Sequence, residues 1–180
     1  MRYVNYFETE PIDAFSGSWY SEWRDELERE SVGTISDSNY IKWVQRSLNR
    51  LYNSDLAIDG TKSSKYKAMV RQFNNDYLYR DDDRVDEQTQ NELIYLNSAD
   101  GDYVEWLGKA INKAGFGPVA IARVLDTPLV NAIKAFQGKQ RPKIKADGYV
   151  GAKTELALIK ASGLYPPGKP RPKPTVKPTP

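Results

Sequence analysis

The stretch that decides the fold is Asp147 to Ile159, DGYVGAKTELALI, a tight-turn signal followed by a helix start and an apolar run. A looser version, DDRVDEQTQNELI, stands 65 residues earlier at Asp82 to Ile94. Val150, Thr154 and Leu158 in the later copy answer to Val85, Thr89 and Leu93 in the earlier one. One local signal written twice predicts one folding unit present twice.

Working outward, the match continues upstream at an offset of 63. Tyr40 to Asn49, YIKWVQRSLN, pairs with Tyr103 to Asn112, YVEWLGKAIN. Apolar residues at 41, 44, 48 and 51, and again at 104, 107, 111 and 114, write one helical stripe two times. Tyr66, Met69, Val70 and Phe73 answer in the same way to Leu129, Ala132, Ile133 and Phe136. Each unit is therefore expected to hold three short amphipathic helices, near 40–52, 63–78 and 86–97, then near 102–114, 126–140 and 151–162. Asp37 or Ser38 is the expected cap of the first helix and Asp86 of the third, while Gly115, Gly117 and Pro118 end the fourth. Units of about 60 residues are near the lower limit for folding alone, so the two are expected to pack together. The connection between them, Asn97 to Asp102, is too short to let them roam.

The expected fold class is all-α: two tandem three-helix bundles, 38–99 and 100–164, with an N-terminal segment at 1–37 and an extended Pro-rich tail at 165–180. An apolar fraction of 39% and a charged fraction of 28% suit a globular chain with modest cores. No run approaches the ~18 apolar residues of a membrane helix. The start, MRYVNYFETEP, lacks the basic head and apolar centre of a secretory signal, so a chain made without one is expected. The absence of cysteine excludes disulfides and thiolate sites. The last fifteen residues, PPGKPRPKPTVKPTP, contain seven of the eleven prolines, with Lys169, Arg171, Lys173 and Lys177 and no acid. Residues 1–165 then carry 22 basic and 24 acidic side chains, so the positive charge belongs to the tail and the body gives no case for nucleic-acid binding. The tail reads as a polyproline II strand, either a solvated linker or an anchor to an anionic surface.

Each unit resembles the peptidoglycan-binding domain attached to bacterial and phage cell-wall hydrolases. Gln45, Leu48, Asp59-Gly60 and Val70 with Phe73 carry the resemblance in the first unit. Phe136-Gln137 and Asp147-Gly148-Tyr149-Val150-Gly151, followed by Thr154 and Leu158, carry it in the second. The resemblance spans about residues 39–163 and implies a three-helix bundle with a non-catalytic wall-binding role. The chain also departs from the pattern. Ala122-Arg123 replaces Asp-Gly in the second unit, Asp82-Asp83 replaces it in the first, and Tyr66 and Leu129 replace the usual Thr. Peptidoglycan offers sugar faces, carboxylates and amides. Against these stand Tyr149 and Tyr79 for stacking and Lys143, Lys145 and Arg84 for carboxylates. The Asp59-Gly60 and Asp147-Gly148 pairs either build tight turns or touch the ligand. Tyr149, at a helix start, is expected to be exposed.

Catalysis has little support, since the commonest bases, nucleophiles and zinc ligands are missing with His and Cys. The acids cluster instead at Asp81-Asp82-Asp83, before a helix start, and at Glu22, Asp25, Glu26, Glu28 and Glu30, on a solvated face. A calcium loop from Asp81 fails because Asp86 stands where its glycine belongs. No cofactor or metal is expected. Trp19, Trp23 and Leu27 recur at every fourth residue outside the repeat, an aromatic stripe that docks on a bundle or on a protein partner. Two functions follow. One is a module that targets peptidoglycan, alone or as part of a lytic or envelope-penetrating machine. The other is a structural protein of a phage virion or injection apparatus that uses the bundle for assembly. The expected place of action is the bacterial wall or such a machine.

Overall fold

The computed structural model describes residues 36–168, which form six helices and, among the described residues, no strand. They are α1 (Asp37–Tyr52), α2 (Ser64–Leu78), α3 (Glu87–Ala99), α4 (Gly101–Lys113), α5 (Thr127–Lys139) and α6 (Ala152–Ser162). The expected Trp19 and Trp23 helix and the Pro-rich run from Lys169 lie outside the described residues. Side chains set the helix starts. Ser36, Ser63, Asp86, Asp100 and Asp126 each accept the N–H three residues on, where the helix itself leaves donors unpaired. The cap of α1 is thus Ser36 and not Asp37 or Ser38. Asp37 already lies in the first turn, where an acid suits the macrodipole, and the Ser38 hydroxyl packs against Gly60. Among the described residues, no helix is long and apolar enough to cross a membrane.

Helical spacing delivers two apolar clusters. Ile41, Val44, Leu48, Val70, Phe73 and Leu93 belong to one, contributed by α1, α2 and α3. Val104, Leu107, Ile111, Ile133, Phe136 and Leu158 belong to the other, from α4, α5 and α6. The stripe ends Leu51 and Ala114 are only partly buried, at the cluster margins. Tyr66 and Leu129, which replace the expected Thr, are both buried. Paired details recur: Tyr40 packs on Trp43 with centroids 5.7 Å apart, and Tyr103 on Trp106 at 5.2 Å. The Asn49 carboxamide grips the backbone N–H and carbonyl of Leu56, and Asn112 does the same to Val119. Each asparagine closes the loop after its helix by satisfying both groups of one peptide residue.

The clusters are joined by a polar contact as well as by the short α3–α4 turn. Arg46 of α1 and Glu155 of α6 are both buried and form an ion pair, and Tyr103 donates its hydroxyl to the other Glu155 oxygen at 2.8 Å. The Arg50 guanidinium lies 4.2 Å from the Tyr103 ring centroid, donates to Asn97 Oδ1 and reaches the carbonyl of Pro167. Asn49 also donates to the carbonyl of Gly168, so the segment after α6 returns across α1. Gly151 stands at the start of α6 without a side-chain cap, and a Cβ there would come within 3.2 Å of Ile94 Cδ1.

Candidate functional site

The loop between α5 and α6 is built around one carboxamide. Gln137, buried on α5, donates from Nε2 to the carbonyl of Tyr149 at 2.7 Å, and its Oε1 accepts the N–H of Gly148 at 2.8 Å. The same Nε2 lies within hydrogen-bond reach of Asp147 Oδ1 and Thr154 Oγ1. Asp147 Oδ1 also accepts the N–H of Tyr149, closing an Asx turn. Gly148 has φ +87, and a Cβ on it would lie 2.9 Å from Val130 Cγ1. Backbone sign and space both demand glycine there.

Two other acidic turns are held in the same manner. Gln45 of α1 donates to Asp59 Oδ1 at 2.9 Å and accepts the N–H of Gly60 at 3.0 Å. Hydrogen bonds from Gln45 first, and then from Thr61, hold the Asp59 carboxyl below its usual range. Asn74 of α2, in the position that Gln137 occupies on α5, donates to the carbonyls of Asp82 and Arg84. Before α5, where Ala122-Arg123 stands 63 residues after Asp59-Gly60, Gly108 likewise stands 63 residues after Gln45. The backbone of Ala120 and Ile121 lies directly against that glycine. Amide and acidic turn are present together or absent together, which identifies the Asp-Gly pairs as turn builders in this fold.

The remaining candidates are scattered over the surface. Tyr79 caps α2 in the left-handed region and is 73% exposed. Arg84 is exposed and pairs with Asp82 at 3.0 Å, which lowers the Asp82 carboxyl. Lys143 is exposed and Lys145 half-buried, on either side of the buried Ile144. Tyr149 corrects the expectation of an exposed ring: it is half-buried and packs against the α1–α3 cluster. The reason is the α1–α6 contact, which brings the α5–α6 loop onto the α1–α3 cluster. Burial first, and Asp147 second, raise its phenol above the usual range.

Beside this loop lies a groove of about 350 Å³. One wall is the outward stripe of α6, Lys153, Leu156, Ala157, Lys160 and Ala161; the other is the loop segment with Arg141, Pro142 and Ile144. The cations that line it are Arg141, Lys153 and Lys160, not the Lys143 and Lys145 singled out in the sequence. The α6 residues follow the i, i+3, i+4, i+7, i+8 pattern, a signal that was legible but hidden by the stronger buried stripe on the opposite face. Among the described residues, no group of three or more Asp, Glu, His or Cys is placed to hold a metal ion.

No curated protein matches the chain, and no solved structure matches it. Residues 100–158, which include α4, α5 and the first turns of α6, match the family described as "Putative peptidoglycan binding domain".

Proposed function

We propose that this protein is a non-catalytic module that binds bacterial peptidoglycan. The observation that carries the reading is the family match over residues 100–158. We further infer two tandem copies of one three-helix unit, 38–99 and 100–164, because loop clamps, aromatic pairs and core phenylalanines recur at a constant offset. The second unit is the stronger binder in this proposal, with Lys143, Lys145 and the Asp147-Gly148-Tyr149 loop on its ligand face. Asp59, Gly60, Tyr79 and Arg84 mark the corresponding, weaker surface of the first. The tail and the Trp19 and Trp23 segment serve to join or position the module within a lytic or envelope-penetrating assembly.

The test is sedimentation of the full chain with purified, insoluble peptidoglycan. Retention that survives high salt is expected. Complete recovery in the supernatant would overturn the reading and favour a structural, assembly role for the same fold.

A further inference from the structure

The groove beside α6 is lined by three cations and no acid. Among the described residues, Lys153 and Lys160 make no ion pair, and Arg141 bonds only to the carbonyls of Gly138 and Gln140. Lys153 sits in the first turn of α6, where a cation opposes the macrodipole. A residue placed against local preference is a reason to look for function. Between the charges lies an apolar strip of Pro142, Ile144, Leu156 and Ala157.

We propose that this groove seats the stem peptide of peptidoglycan, with its carboxylates on Arg141, Lys153 and Lys160 and its alanine methyls on Ile144 and Leu156. The proposal rests on the wall-binding reading and names the part of the wall polymer that is recognised. Dimensions agree. Lys160 follows Lys153 by seven positions, which places them about 10 Å apart along the helix axis. An extended peptide covers that distance in about three residues, the order of separation between acidic groups on a short, multiply carboxylated peptide. A volume of about 350 Å³ accommodates a short peptide rather than a whole disaccharide-peptide repeat. A polyol phosphate would satisfy the cations and leave the apolar strip uncovered, so the peptide is the better occupant.

The experiment uses the full chain and insoluble peptidoglycan stripped of phosphate polymers by hydrofluoric acid. The triple variant Arg141→Gln, Lys153→Gln, Lys160→Gln should bind about tenfold more weakly, a loss of modest charge-assisted hydrogen bonds. Its melting temperature should not fall, because these side chains lie on the surface. Ala161→Trp, which fills the groove without altering charge, should weaken binding similarly. A soluble disaccharide tetrapeptide should compete, and the same compound with its carboxylates amidated should not. Equal retention of wild type and both variants would overturn the groove while leaving wall binding in place. Retention only on unstripped wall would overturn it in favour of a phosphate polymer. Failure of the wild type to bind either material would overturn both this inference and the reading beneath it.

Discussion

Arg46 on α1 and Glu155 on α6 lie 109 residues apart in the chain and meet with Nε 2.7 Å from Oε1, both side chains buried. Tyr103 satisfies the second carboxylate oxygen, so the pair is closed on its acidic side. A buried pair contributes little net stability compared with apolar residues of similar size, because desolvation offsets the attraction. Removing one member is different, since it strands the other charge. Glu155→Leu or Arg46→Met alone should destabilise by about 3–5 kcal/mol. Arg46→Met combined with Glu155→Leu should recover part of that loss, the Tyr103 hydroxyl being left without its acceptor, as measured by urea denaturation and a double-mutant cycle. Additive losses would show that the contact does not couple the two helices.

Phe73 and Phe136 occupy matching places in the two clusters, and both are essentially inaccessible to solvent. Phe136 also meets Phe116 edge-on, with centroids 5.3 Å apart. Phe136→Ala and Phe73→Ala should each cost about 3–5 kcal/mol. Because α1 and α6 are locked by the buried pair, a single cooperative transition is expected for both variants. Circular dichroism and tryptophan fluorescence should therefore trace the same melting curve.

The helices were legible because burial follows the 3.6-residue period, and Val44, Leu48, Leu107 and Ile111 all lie where that period puts them. Arg46 was not legible. It stands within α1 among residues that ordinarily face water, and its burial depends on Glu155 arriving from a helix that sequence spacing cannot orient. Tyr149 was misplaced for the same reason: its ring packs on the cluster formed by α1, α2 and α3. The Asp-Gly turns were visible as turns and Gln45 and Gln137 as motif residues, but not that these two amides hold the turns, because a buried Gln resembles an exposed one in a sequence.

Asp86 gives a prediction for acid. Burial pushes its carboxyl up, but hydrogen bonds from Arg80 and from the N–H of Thr89 outweigh it and leave the group below its usual range. A carboxylate held low when folded contributes stability that is present above its unfolded pKa of about 3.9. That contribution is lost as pH falls through the lower, folded value. Stability should therefore decline below about pH 4. Asp86→Asn should be less stable at pH 7, with a shallower acid limb, in urea titrations at several pH values. An unchanged limb would assign the acid sensitivity to other carboxylates, Asp59 and Asp82 first.

Gly148→Ala is expected to weaken the α5–α6 loop by about 1–3 kcal/mol, because it combines a left-handed backbone with contact against Val130. Gly138→Ala, on the same helix as Gln137, provides the control: its nearest neighbour to an added Cβ lies at 4.0 Å. That change should be neutral or slightly stabilising, as usual for Gly to Ala within a helix. Thermal melts of the two variants side by side decide the matter, and equal effects would mean that the loop is less constrained than its hydrogen bonds indicate.

Tyr149 stands at the joint between the clusters and beside the proposed ligand face, so one substitution cannot separate its two roles. Tyr149→Ala should cost about 1–2 kcal/mol, since the ring is only half-buried. Tyr149→Leu should restore much of that stability by refilling the apolar contact, while removing any aromatic face for a sugar. If Tyr149 stacks on glycan, both variants bind peptidoglycan more weakly than wild type. If it only sets the joint, Leu restores binding along with stability. The tail must be controlled separately, because Lys169, Arg171, Lys173 and Lys177 present four positive charges to an anionic polymer. Truncation after Gly168 removes those four charges and keeps the bonds from Arg50 to Pro167 and from Asn49 to Gly168. Raising salt from about 0.1 to 1 M shortens the Debye length from about 10 to 3 Å and should abolish tail adhesion first. Retention of the truncated chain at 1 M salt, lost in Tyr149→Leu, would place the glycan contact at Tyr149; retention equal to wild type would assign the ring to the joint alone.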